Sequence, residues 1–368
     1  MFDSDLQEKL TRFALALVDQ QAARVIVPPV EPESGFWFGG GNLAQADDGT
    51  LCLVGRYRNA GDSRTGVAAG TRGFELAVFA SGDGGRTFEK VLRLQKADLA
   101  VDGREVLSIE GSALRFGEGG VELYVSSEKQ DLGYPPGLEE FLKPGTGVWT
   151  VDRLAAATID GLSDAPRETV LASRDPRFLH VKDPFVCGSS ENDDFVLGFC
   201  THPFCWTSSN AGYAVRRHGN TQFDEPEFDF FPRGFTWDVA MTRGTCVMDV
   251  PRVGAFRERR VSLVFYDGGE CVRRHDEHSA ATSRPRGYSC EELGGVGYFL
   301  DGDLARIERL SLHRPMFISP HGTGCSRYVD VLASRDGFHA TWQQSQSDGS
   351  QPLVMNFVER DVARELLE

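Results

Sequence analysis

The chain runs to 368 residues with a formal net charge of −15, and its 41 Gly and 17 Pro are scattered as turn punctuation. A negative field of that size repels phosphodiester backbones and anionic lipid surfaces, which argues against nucleic acid and membrane as partners. No apolar run nears the ~20 residues of a membrane span, and no basic stretch leads into an apolar one at the N-terminus, so the expected location is cytoplasmic.

In chain order, Ser4–Gln21 places Leu6, Leu10, Phe13, Ala14, Leu17 and Val18 at three- and four-residue intervals, the period of an amphipathic helix. Arg24–Val30 follows as a short β-branched strand ended by Pro28 and Pro29. Next, Gly41–Gln45 and Leu51–Val54 flank a polar turn and read as a hairpin. The same pattern recurs with one offset: Glu110 to Glu122, Asp183 to Phe195, Asp249 to Val261 and Ser326 to Phe338 are each twelve residues apart. The hairpins begin near 42, 110, 183, 249 and 326, a spacing of roughly 71 residues that marks a repeat architecture.

Each hairpin is followed by a third strand, at Phe74–Ala80, Gly147–Val151, Tyr213–Arg217, Gly294–Leu300 and Leu353–Val358. A fourth follows the first four hairpins, at Phe88–Leu94, Glu168–Ala172, Glu227–Phe231 and Ile307–Met316. The fifth unit lacks an outer strand and Arg24–Val30 lacks a sheet, so pairing the two closes a ring. The expected fold is all-β: one five-bladed β-propeller over residues 1–368, with four antiparallel strands per blade, an N-terminal closing strand and a short N-terminal helix.

The first strand of each blade lines the channel of a propeller. Asn42, Glu110, Asp183, Asp249 and Ser326 or Arg327 are therefore expected to converge on one funnel, with Arg56, Arg58, Glu128, Lys129, His202, Asp267 and Gln344 returning to its rim on the second strands. Carboxylates also start strands simply because a channel mouth is wet, but three in register ask for more. Crowding like charges in a low dielectric raises at least one of their pKa values, which is the arrangement that paired-carboxylate acid/base chemistry uses. Glu110, Asp183 and Asp249 are the predicted catalytic group, with Asn42, Arg56, Arg58, His202, Trp237, Asp267 and Arg327 as the candidate substrate contacts.

Sugar faces stack on aromatic rings, which makes Phe36, Trp37, Phe38, Trp206, Trp237 and Tyr266 candidate walls, although core packing accounts for at least half of them. His275 and His278 have i, i+3 spacing, but no helix bearing a metal motif surrounds them. No metal ligands and no cofactor are predicted; a structural divalent cation is the one group such a channel would also accommodate. Eight cysteines without a CxxC pair, mostly inside apolar runs, read as buried reduced thiols.

The Asp183-Pro-Phe-Val stretch, with Glu110-Gly-Ser-Ala-Leu and its partner Glu122-Leu-Tyr-Val-Ser, resembles the five-bladed glycoside hydrolases of the arabinanase and xylosidase type, with the invertase, levansucrase and mannoside phosphorylase families as relatives. That resemblance implies a blade-one Asp as base, a blade-three Asp before Pro that tunes and orients, and a blade-four carboxylate as acid. Asp183 matches the second role and Asp249 the third, as Asp in place of Glu, while Asn42 departs from the first. Separately, Ser81-Gly-Asp-Gly-Gly-Arg-Thr-Phe88 is similar to the Asp-box of sialidases, a turn that serves folding. Sialidases bind a substrate carboxylate through arginines, a role open to Arg56 and Arg327, but their Phe-Arg-Ile-Pro motif is absent. The expectation is a glycoside hydrolase acting on an anionic or furanosidic sugar. A sialidase-like hydrolase and a non-catalytic carbohydrate-binding propeller stand as alternatives, and the oligomeric state is left open.

Overall fold

The computed structural model describes residues 2–59, 72–117, 119–189, 194–270 and 292–368. Its sheets form five blades, each of four antiparallel strands counted outward from the channel. Blade one is the exception on its inner edge, where two short strands, Trp37–Gly39 and Leu43–Gln45, both pair with Leu51–Arg58, ahead of Gly73–Ser81 and Glu89–Gln95. Blade two runs Val106–Gly117, Gly120–Lys129, Val148–Ala156, Arg167–Leu171, and blade three His180–Ser189, Phe195–His202, Asn210–Arg216, Glu227–Phe231. Blade four is Met241–Asp249, Val261–Gly269, Leu293–Leu300 and Glu308–Arg309, shorter at its outer edge than the expected Ile307–Met316.

Blade five has Ser326–Ala333, Gly337–Gln344 and Leu353–Glu359, and its outer strand is Arg24–Val27, paired antiparallel as Arg24 with Met355 and Val25 with Val354. The ring is therefore closed by the N-terminal strand, which stops at Val27 because Pro28 has no N–H to continue the ladder. The N-terminal helix α1 is Ser4–Leu17, shorter than Ser4–Gln21, with the Asp3 carboxylate accepting from Leu6 N at 3.0 Å as its N-cap. At its other end Asn356 Nδ2 donates to the carbonyls of Ala16 and Leu17, so the helix terminates on blade five. A C-terminal helix, α2 (Arg360–Leu367), was not anticipated; it packs with α1 against blades four and five through Leu10, Phe13, Ala363 and Leu367.

The core is divided among the gaps between blades. Leu76, Val78, Leu123 and Val125 fill the seam of blades one and two, and Tyr124, Val151, Leu197 and Phe199 that of two and three. Phe185, Phe231, Val264 and Tyr266 fill the third seam, Phe265, Val296, Val331 and Trp342 the fourth, and Phe38, Leu53, Phe79 and Leu353 the last. Each sheet is thus buried on both faces, which is why the central strands read as continuous apolar runs and not as alternation. Polar ties cross the seams near the axis: Asn42 exchanges hydrogen bonds with Leu114 N and O, and Asp330 accepts from Leu43 N at 2.8 Å. In blade one, Asp83 accepts from Ser81 Oγ, Thr87 N and Thr87 Oγ1, so this carboxylate organises the Ser81–Phe88 turn.

Candidate active site

One irregularity repeats around the channel and builds the site. Between Ile109 and Ser112, Lys182 and Phe185, Gly244 and Cys246, and Arg327 and Asp330, each inner strand carries one residue more than its partner, a β-bulge. Blade one makes the same excursion as the gap between Trp37–Gly39 and Leu43–Gln45. A bulge leaves residues unpaired and re-aims their side chains. Asp183 and Tyr328 take up left-handed backbone there, at φ 50° and 53°. The bulged residues line one pocket of about 370 Å3 at the channel mouth: Gly40 to Asn42, Gly111 and Ser112, Asp183 to Phe185, Arg243 to Thr245, and Tyr328, joined by Asp267 from a second strand.

Asp183 is held on all sides. Its Oδ1 accepts from Gly111 N at 2.9 Å, its Oδ2 from Cys200 Sγ at 3.2 Å, and its own N–H donates to Ser126 Oγ at 3.2 Å. Only glycine fits at 111, because a Cβ would stand 2.6 Å from Asp183 Oδ1. Lys182 Nζ and Arg243 Nη1 flank Oδ2 at 3.7 and 3.8 Å. Asp267, opposite Arg243 in the ladder, is fully buried and accepts from Tyr328 N at 3.0 and 3.3 Å. Burial pushes its carboxyl up to about 7, Arg243 and Arg327 only partly opposing that, while the neighbouring Glu292 adds to it.

Glu110 is brought to the same end of the channel but is already occupied. Arg56 reaches its Oε2 from Nη2 at 2.6 Å and Arg58 its Oε1 at 3.1 Å, and all three side chains are largely buried. Burial drives this carboxyl up, but Lys182, Arg56 and Arg58 together outweigh it and hold it well below the usual carboxylate range. Arg327 and Arg243 share Glu292, the latter at 2.7 Å. Arg327 lies 4.4 Å from the Trp37 ring centre, and the Tyr328 ring sits between Arg56 and Arg327 at 5.3 Å from each.

His202 and His180 form the wall behind Lys182. His202 Nδ1 donates to the Ser208 carbonyl at 2.9 Å, which leaves Nε2 as a buried acceptor, and burial followed by the charge of Lys182 keeps both imidazoles neutral, His180 at about 3. Trp206 stacks on His180 at 4.1 Å.

Two expected site residues lie elsewhere. Asp249 ends its strand at the opposite pole, half exposed, where it accepts from Ser262 Oγ at 2.6 Å and pairs with Arg260. The twelve-residue offset misled because the blade-four turn, residues 250–260, is long and holds a helical turn at Gly254–Phe256, whereas in blade two Gly117 already pairs with Gly120. The position equivalent to Glu110 and Asp183 falls near Arg243 and Thr245. Trp237 is core: it is 2% exposed, stacks on Tyr266 and donates from Nε1 to the Ser311 carbonyl at 2.8 Å. Asn42 does line the pocket, with its amide spent on blade two.

Lys182, Arg243, Glu292 and Tyr328 were missed. A scan for bulges, through the short polar or glycine breaks Gly40-Gly-Asn, Glu110-Gly, Asp183-Pro, Gly244-Thr and Arg327-Tyr, is the signal that would have found the last two blades. Among the described residues no group of three His, Cys, Asp or Glu side chains is arranged to hold a metal ion, and His275 and His278 lie outside them. The described cysteines are free thiols, and Cys271 and Cys290 are likewise outside that set. No described helix is long and apolar enough to cross a membrane.

No protein-family model and no curated protein matches the sequence. Solved structures do match the fold. A thermostable family-43 glycoside hydrolase superposes with a TM-score of 0.54 at 10% identity, over 89% of this chain and 91% of its own. The β-1,2-mannobiose phosphorylase of Listeria innocua, solved with β-1,2-mannobiose, gives 0.54 at 10% identity over 94% and 93%. The α-L-arabinanase of Penicillium chrysogenum, solved with arabinobiose, gives 0.50 at 10% identity over 92% and 98%. At these identities the likeness is one of architecture: the chain is a five-bladed propeller of the kind on which these glycoside-acting proteins are built.

Proposed function

We propose that the protein is a glycoside hydrolase whose working carboxylates are Asp183 and Asp267. One observation carries this reading. Both are buried and line a single pocket at the channel mouth, but Asp183 is flanked by Lys182 and Arg243, whereas the Asp267 carboxyl is pushed up by burial to about 7. Asp267, whose carboxyl burial raises, retains a proton near neutral pH and delivers it to the departing glycosidic oxygen, and Asp183, 3.7 Å from Lys182 and 3.8 Å from Arg243, faces the anomeric carbon or the attacking water. Arg243 and the Tyr328 hydroxyl, on the same wall, orient sugar oxygens. Glu110 is a brace for Arg56 and Arg58 in this scheme. The architecture shared with glycoside-acting proteins supports the substrate class.

The test is a panel of arabinofuranosides, xylosides, galactofuranosides, uronides and sialosides, incubated with the native protein and with Asp183→Asn and Asp267→Asn. Turnover of one member, abolished in both variants while each remains folded, is expected. Turnover undiminished in either variant would remove that residue from the chemistry, and saccharide binding without turnover anywhere in the panel would favour a carbohydrate-binding propeller.

A further inference from the structure

The charges around the pocket are unevenly matched. Among the described residues, Arg56, Lys182, Arg243 and Arg327 stand in or beside it, none more than 7% exposed. Three carboxylates besides Asp267 face them: Glu110 is taken by Arg56 together with Arg58, Glu292 is shared by Arg243 and Arg327, and Asp183 lies near Lys182 and Arg243. Asp267, with its raised carboxyl, contributes only part of a negative charge at neutral pH.

Lys182 is the one of these four cations with no carboxylate oxygen in direct contact, although its charge also acts on Glu110. Its nearest described carboxylate oxygen, Asp183 Oδ2, is at 3.7 Å, outside hydrogen-bond range, and that oxygen is engaged by Cys200. Its ammonium otherwise faces the rings of Trp149 at 4.8 Å and Trp206 at 6.0 Å. Among the described residues no acceptor lies within hydrogen-bond range of this ammonium, on a side chain that is 9% exposed, so a ligand oxygen arriving there adds a charge-assisted hydrogen bond, and a low dielectric strengthens it. Arg243 lies 3.8 Å from the same Asp183 oxygen, so the two cations stand in one neighbourhood at the bulge.

We infer that the substrate is an acidic sugar whose carboxylate is taken up between Lys182 and Arg243. This rests on the reading of the pocket as a glycosidase site and narrows it. An ammonium beside a guanidinium, in a chain of net charge −15, marks a local reversal of sign that a neutral sugar has no use for. A free oxyanion such as inorganic phosphate offers the same chemistry, so the test separates the two sources.

Binding of D-glucuronate, D-glucose and inorganic phosphate is measured by titration calorimetry at low and high salt, on the native protein and on Lys182→Met. Glucuronate is expected to bind about tenfold or more tightly than glucose, as charge-assisted hydrogen bonds allow. That advantage shrinks in Lys182→Met, and in the native protein it shrinks with salt, which keeps the inference open to refutation if the variant does not fold. Equal affinity for the two sugars overturns it, as does phosphate binding in preference to glucuronate. Acidic-sugar binding with no cleavage of any uronide would remove the hydrolase reading and leave this one standing; rapid cleavage of a neutral glycoside, indifferent to Lys182→Met, would do the reverse.

Discussion

Replacing Asp267 with Asn removes a carboxyl whose ionised form the fold disfavours. An aspartyl carboxyl in the unfolded chain ionises near its ordinary value of 3.8, whereas burial raises it to about 7 here. Because the folded-state value lies above the unfolded one, stability is greatest while both states are protonated and is lost as pH rises from about 4 to about 7. A shift of roughly 3 pKa units at about 1.4 kcal/mol each gives up to ~4 kcal/mol of destabilisation above pH 7. Asn keeps an oxygen to accept from Tyr328 N but adds an amide that needs a partner, which costs about 1–3 kcal/mol.

The net expectation is that Asp267→Asn is about as stable as the native protein, or less so, at pH 4.5 and gains on it by several kcal/mol toward pH 8. Urea unfolding of the two proteins at those pH values measures the difference directly, and comparing them cancels other titrating groups such as Asp330, whose burial also raises it to about 7. A stability difference that does not change with pH would refute the reasoning. Gain of stability with complete loss of turnover is the pattern expected where a strained group is retained for function.

Gly111→Ala would force Asp183 to move, since the new Cβ meets its Oδ1 at 2.6 Å, and kcat should fall by an order of magnitude or more with far less effect on KM; unchanged kinetics would dissociate Asp183 from the chemistry. Glu110→Gln removes the buried negative charge that Arg56 and Arg58 share, and breaking this buried ion pair should cost about 3–5 kcal/mol in chemical denaturation; a loss under 1 kcal/mol would show that the brace is not needed. Asp249→Asn breaks only a half-exposed pair with Arg260, so turnover should be unaltered and stability change by no more than ~1 kcal/mol. A large loss of activity there would restore the sequence-based assignment.

The repeat period and the closing strand were legible because each blade spends two apolar runs and a turn in a fixed length, and because an orphan strand must find an edge. The position of Asp183 was legible for the same reason: Asp-Pro interrupts an apolar run at its mouth. The fourth blade was not, since equal sequence offsets can divide differently between strand and turn, and the helical turn in 250–260 absorbed the discrepancy. Trp237 was misjudged because a tryptophan near a strand end has the same composition whether its indole meets a sugar or the Ser311 carbonyl. Nor does sequence reveal that Glu110 arrives with two arginines already bound to it. That depends on Arg56 and Arg58, both on the second strand of the neighbouring blade, pointing across the seam between blades one and two.

The most direct test of the account is a crystal structure of Asp267→Asn soaked with whichever glycoside the native protein cleaves. The account predicts the sugar at the channel mouth among the five bulges, its glycosidic oxygen within hydrogen-bond reach of residue 267 and its anomeric carbon facing Asp183. A sugar bound at the opposite pole, beside Asp249 and Arg260, would contradict it.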